Sequence, residues 1–196
     1  MADRRQGGSG CLMGEPASDL PPYIGPRPVK YRGIVLGLER ISTVWGELTR
    51  LAEQEWEEVG DEERLGKLEP DFLTCLQHEQ AGRIGVVTAR LLGSWELAGY
   101  FVGVMGTPLK TKGKKTLNEV AIYLTPEVRS GWLAAKLLDY TEVVAKAFGA
   151  DALIVSHRPE HERIGALYQR RGFAPLSHDY IKFVGHDSDE SQENRP

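Results

Sequence analysis

Residue types able to hold an anion gather in one short stretch, Glu127-Val128-Arg129-Ser130-Gly131. Before it, residues 119–124 alternate, with Val120, Ile122 and Leu124 on one side and Glu119, Ala121 and Tyr123 on the other. That is the period of a strand. After it, Leu133, Leu137, Tyr140, Val144 and Ala147 recur at helical spacing, and Thr125-Pro126 separates the two patterns. A strand that feeds a helix through so short a turn aims several unbonded N–H groups at one point. The helix dipole adds about half a positive charge there. Such a turn can seat a phosphate or diphosphate. The competing reading is an ordinary strand–turn–helix with a surface arginine.

The other chemistry-bearing groups exclude more than they assign. Lys110, Lys112, Lys114 and Lys115 crowd a Gly-rich loop, where they either steer an anionic ligand or decorate a solvated hairpin tip. Their spacing does not give the Gly-x-x-x-x-Gly-Lys-Ser/Thr of a nucleotide-triphosphate loop. Cys11 and Cys75 make neither a disulfide framework nor a metal site. With 24 basic and 28 acidic residues the chain carries a net charge of −4, so a general nucleic-acid surface is not implied. No apolar run is long enough to cross a membrane, and the arginines near the N-terminus precede no apolar segment of a secretory signal. A reducing, cytoplasmic setting is the expectation.

The elements that must position these groups follow from patterning. A chain of 196 residues suits one domain with tails. Residues 1–30 are rich in Gly, Pro and Ser and read as an extended tail, and residues 186–196 as a disordered acidic one. Between them, residues 31–185 form the domain. Residues 33–38 suit a first strand. From Ile41 a helix presents Ile41, Val44, Trp45, Leu48, Leu51, Ala52 and Trp56 on one face and Glu47, Arg50, Glu53 and Glu57 on the other, with Ser42 or Thr43 as its cap. A second helix spans residues 70–80. Residues 83–92 and 95–105 read as strands joined at Gly93-Ser94, which with the 119–124 strand make an antiparallel meander. Residues 151–156 have the continuous apolar run of a strand buried on both faces. Residues 160–171 read as a helix burying Ile164, Leu167 and Tyr168 and ended by Gly172, and residues 173–184 supply one or two last strands.

This order gives an α/β fold with a mixed sheet, and two segments, TPEVRSGWLAAKLL and HERIGALYQRRGF, resemble the GCN5-related N-acetyltransferase (GNAT) family. The resemblance covers roughly residues 33–184. In that family an Arg/Gln-x-x-Gly-x-Gly/Ala turn holds the diphosphate of acetyl-coenzyme A. Arg129 and Ala134 take its first and last positions, while Trp132 stands where the middle glycine is expected and Gly131 falls one residue early. The shifted glycine resembles a branch often encoded by bacteriophages. In the second segment His161 and Ile164 replace the usual Asn and Ala, while Leu167, Tyr168, Gly172 and Phe173 match.

The resemblance implies a central, mostly antiparallel sheet flanked by helices, and acetyl transfer from acetyl-CoA to an amine. It implies that a bulge in the fourth strand exposes amides of Ile122, Tyr123 or Leu124 to the thioester carbonyl. The stretch Arg129, Ser130, Gly131, Trp132, Leu133 and Ala134 then binds the cofactor. Tyr168 stands at the general-acid position. Glu119 is the first choice of base and His157 the second, and a water relay would make either dispensable. No metal is implied. The acceptor is a primary amine of a small molecule or protein, with Glu53, Glu57 and Asp71 as carboxylates that could attract it. The alternative is a non-catalytic GNAT-like binding or structural module, such as a phage component. Dimerisation, or a protein partner reached through the tails, is a further expectation.

Overall fold

The computed structural model describes residues 25–60 and 62–178, and the chain divides into two compact units, Met1–Ser156 and His157–Pro196. The expected tail over residues 1–24, the acidic tail and the last part of the 173–184 segment lie outside the described residues.

The first unit holds a six-stranded mixed sheet in the order β1-β2-β3-β4-β5-β6. Strand β1 (Val29–Tyr31) begins inside the stretch expected as tail. It turns into β2 (Ile34–Glu39) over Arg32 and Gly33, both left-handed at φ 43 and 82°, as a tight two-residue hairpin demands. After α1 (Ile41–Val59), the short turn α2 (Glu62–Leu65) and α3 (Phe72–Gln80), the antiparallel meander continues. It comprises β3 (Ile84–Leu91), β4 (Leu97–Gly106) and β5 (Thr116–Leu124). Helix α4 (Gly131–Ala147) then leads to β6 (Ala152–Ile154), which pairs parallel with β5.

Helices cover both faces of the sheet. On one, Leu133, Leu137, Tyr140 and Val144 of α4 pack on Leu36, Val87, Ala89, Phe101 and Leu124. On the other, Ile41, Val44, Leu48 and Leu51 of α1 pack on Ile84, Val86, Leu97, Tyr100 and Tyr123. Strand β3 is buried along nearly its whole length because it is covered on both sides. Its one cation, Arg90, is only 5% exposed. It is held by Glu39 (Nε–Oε1 2.7 Å) and by Glu47 (Nη2–Oε2 2.8 Å), so Glu47, itself partly exposed, also reaches an interior cation. Trp45 and Trp56 are half-buried: the first packs on Phe72 with ring centroids 4.9 Å apart, and the second donates to Gly66 O at 3.0 Å.

Several boundaries differ from the sequence reading. The N-cap of α1 is Arg40, without a side-chain cap, because Ser42 and Thr43 already lie in the first turn. The missing acceptor comes from α3: the buried Glu79 carboxylate takes Ser42 N (2.9 Å) and Ser42 Oγ (2.8 Å). Asp71 accepts from Thr74 N at 3.0 Å as the cap of α3. Strand β6 is short and only half-buried, with Ala152 exposed, since it shares only three register positions with β5.

The second unit contains α5 (Glu162–Arg170), which ends as expected at a left-handed Gly172 with φ 86°. Gly172 N bonds Gln169 O and Phe173 N bonds Tyr168 O, both at 3.0 Å, which satisfies the last carbonyls. Tyr168 is buried, Leu167 half-buried, and Ile164 is exposed. Residues 173–178 form no strand.

Candidate active site

The site begins where the sheet stops being complete. Strands β5 and β6 pair at Thr116–Ala152, Leu117–Leu153 and Asn118–Ile154, and no pairing continues beyond Asn118 among the described residues. The β4–β5 ladder shifts register at the same level: Val102 faces Ala121 and Gly103 faces Glu119, which leaves Val120 as a bulge. The alternation of residues 119–124 therefore breaks at its second member. Ile122 and Leu124 do pack toward α4 and Ala121 and Tyr123 toward α1, but Val120 is 64% exposed.

Past the bulge, one edge of β5 is unpaired among the described residues. Thr125 N donates to Ala98 O of the β4 side at 2.9 Å, so strand alternation turns Tyr123 N–H toward β4 as well. The N–H groups of Ile122 and Leu124 face the open edge. Two donors from alternate residues on a free strand edge can meet a carbonyl oxygen as charge develops on it.

Glu119 sits at the foot of this edge. Its carboxylate spans the gap to β6, accepting Ser156 N at Oε2 (2.9 Å). Burial pushes its carboxyl up to about 7; the Ser156 amide opposes that rise, and the charge of Glu55 on α1 adds to it. A carboxyl with that poise can take a proton near neutral pH. Beside it, Tyr100 O–H, deeply buried in the α1 face, donates to Glu55.

The turn and the start of α4 stand at the other end of the edge. Ser130 is the N-cap, its Oγ accepting Leu133 N at 3.2 Å, and Ala134 N makes the first helical bond, to Ser130 O. The amides of Gly131 and Trp132 are thus the first-turn donors that neither the cap nor the helix takes up. The Trp132 indole stands 67% exposed beside them. Arg129 points elsewhere. Its N–H goes to Thr125 O, and its guanidinium goes to Leu124 O and to Glu58 of α1.

The remaining predicted residues are dispersed. In the second unit His157 Nδ1 lies 2.8 Å from Arg158 O, and its ring stands 6.1 Å from that of Tyr168. Gly165 is what makes room for that imidazole, since a Cβ there would lie 2.5 Å from His157 Nε2. Tyr168 also packs on Phe173, centroids 5.6 Å apart. Lys114 pairs with Asp151 at 2.7 Å, and Asp71 is spent on capping. Glu55, Glu58 and Tyr100 escaped the sequence reading. Their signal is the three-residue step from Glu55 to Glu58, which places both carboxylates on one flank of α1. No cluster suited to a metal occurs among the described residues, and no helix among them is long and apolar enough to cross a membrane.

Solved structures share this fold. An aminoglycoside acetyltransferase from an uncultured soil metagenomic sample covers 78% of this chain and 99% of its own, with a TM-score of 0.61 at 17% identity. The fold is that of the GNAT acetyltransferases. The ribosomal-protein-alanine N-acetyltransferase of Brucella melitensis covers 78% of this chain and 98% of its own, with a TM-score of 0.59 at 18% identity. AAC(6')-Iy, solved with the bisubstrate analogue CoA-S-monomethyl-acetylneamine, covers 76% and 97%, with a TM-score of 0.57 at 14% identity. No family model matches the chain, and no curated protein matches it in sequence. At these identities the likeness is one of fold.

Proposed function

We propose that this protein is an acetyl-CoA-dependent N-acetyltransferase acting on a primary amine of a small molecule or a protein. The observation that carries the proposal is the open edge of β5. It turns the N–H groups of Ile122 and Leu124 outward between a carboxyl poised near neutrality and the free amides at the start of α4. These residues fit the two anionic demands of such a substrate, a diphosphate and a developing oxyanion. Gly131 and Trp132 would hold the diphosphate through their amides. Ser130, Leu133 and Ala134 shape the turn that presents them, and Ile122 and Leu124 would donate to the thioester oxygen. Glu119 would take the proton of the attacking amine. The amine nitrogen forms its bond to the acyl carbon as the C–S bond breaks, and the departing thiolate needs a proton. Tyr168 is assigned that role by the family resemblance alone, and His157 is the reserve base on the same footing.

A second reading, a non-catalytic module such as a phage component, is favoured by one observation. Arg129 is committed to Glu58 and Leu124 O instead of standing free for a ligand. Calorimetric titration of the full chain with acetyl-CoA, followed by a thiol-release assay over a panel of primary amines, separates the two. Micromolar binding with turnover on at least one amine is expected, and Tyr168→Phe slows that turnover. A folded protein that binds no acetyl-CoA overturns the enzyme reading.

A further inference from the structure

We infer that Glu58, near the C-terminal end of α1, is a positioning residue for the phosphate-binding turn and acts through Arg129. The inference rests on the acetyltransferase reading of that turn.

The contacts meet at one guanidinium. Arg129 Nε and Nη2 donate to Leu124 O at 3.0 and 2.9 Å. Nη1 and Nη2 donate to the two oxygens of Glu58, Nη2 to Oε2 at 2.7 Å. The guanidinium lies 5.3 Å from the Tyr123 ring centroid, and Tyr123 O–H donates to Glu58 Oε2 at 3.2 Å. Meanwhile Arg129 N is bonded to Thr125 O at 3.0 Å. Helix α1, the end of β5 and the turn are therefore joined at one planar group, which a fork of fixed geometry can hold more firmly than a lysine would.

The consequence lies one residue on. Ser130, the cap of α4, follows Arg129 directly, and the free amides of Gly131 and Trp132 follow Ser130. Holding Arg129 at both its backbone and its side chain fixes the direction from which the chain enters the helix, and so the aim of those amides. The guanidinium's charge is already matched by a carboxylate and a carbonyl. Its service to a bound anion is indirect, and the amides make the contact. The opposite arrangement, an arginine that is itself the phosphate ligand and is merely restrained by Glu58, predicts an effect of opposite sign.

The test compares wild type, Glu58→Gln and Glu58→Asp by acetyl-CoA titration, by steady-state kinetics on the best amine found, and by hydrogen exchange of residues 127–133 without ligand. Both partners are partly exposed, so the expected loss is modest: roughly fivefold weaker acetyl-CoA binding in Glu58→Gln, with Glu58→Asp in between. KM for acetyl-CoA rises by the same factor, while kcat and the amine KM hold. Exchange at residues 127–133 speeds up without a change in melting temperature. Unchanged or tighter binding in Glu58→Gln, or unchanged exchange, overturns the inference. Should wild type bind no acetyl-CoA, it is the function reading that falls, and the exchange comparison alone then supports or overturns the clamp.

Discussion

Two pairs of neighbouring strands in this sheet have opposite characters. The β3–β4 pair runs in register from Ile84–Val104 to Ala89–Gly99, is covered by a helix on each face, and encloses its one arginine between two carboxylates. The β5–β6 pair lasts three positions and then parts, and a carboxylate bridges the gap that opens. The first arrangement pairs its strands over their length and buries them. The second leaves strand amides and a helix start without partners among the described residues, beside a carboxyl that has taken up Ser156 N. Strand β5 belongs to both pairs: β4 holds one of its edges, and among the described residues the other is unpaired past Asn118.

Substitutions can break or sharpen this contrast. The largest loss is expected at the paired end. Phe101→Ala removes a fully buried ring and should cost about 3–5 kcal/mol, whereas Leu153→Ala in half-buried β6 should cost about 1–2 kcal/mol. Urea unfolding of both variants checks the ranking, and equal losses would erase the distinction. At the parted end the effect depends on pH. Glu119 binds its proton more tightly in the folded chain, near 7 against an ordinary 4.5. Its contribution to stability is therefore full below about 4.5 and is lost as pH rises through 7. Wild type should weaken across that window relative to Glu119→Gln, by about 3 kcal/mol at most. The activity of wild type should rise over the same range as the base ionises, and Glu119→Gln should flatten that profile and lower kcat by about a hundredfold or more. The smallest effect belongs to the helix start. Ser130→Ala gives up the bond from Leu133 N and should cost about 1 kcal/mol in thermal unfolding.

What could be read in the sequence was whatever repeats locally. The strand before the turn, the helical stripe after it, the capping glycine at residue 172 and the mixed sheet all follow from periods and turn residues. The bulge did not, because Val120 is as apolar as its neighbours, and nothing in the alternation marks it as the residue left unpaired. Strand β1 lay hidden beside prolines, in a composition typical of a tail. Long-range pairing was equally silent. Arg129 meets Glu58 across 71 positions and Glu79 meets Ser42 across 37, and neither separation leaves a periodic trace. Ser42 itself has the type of a cap, and only the geometry shows it one step too far into the helix.

The bond between Ser42 and Glu79 also ties the opening of one helix to another. The first turn of α1 draws its acceptor from the last turn of α3, so the longest helix of the first unit cannot be closed at its start by its own sequence. Local opening of α3 would therefore expose the Ser42 amide as well, so the two helices open as one cooperative unit.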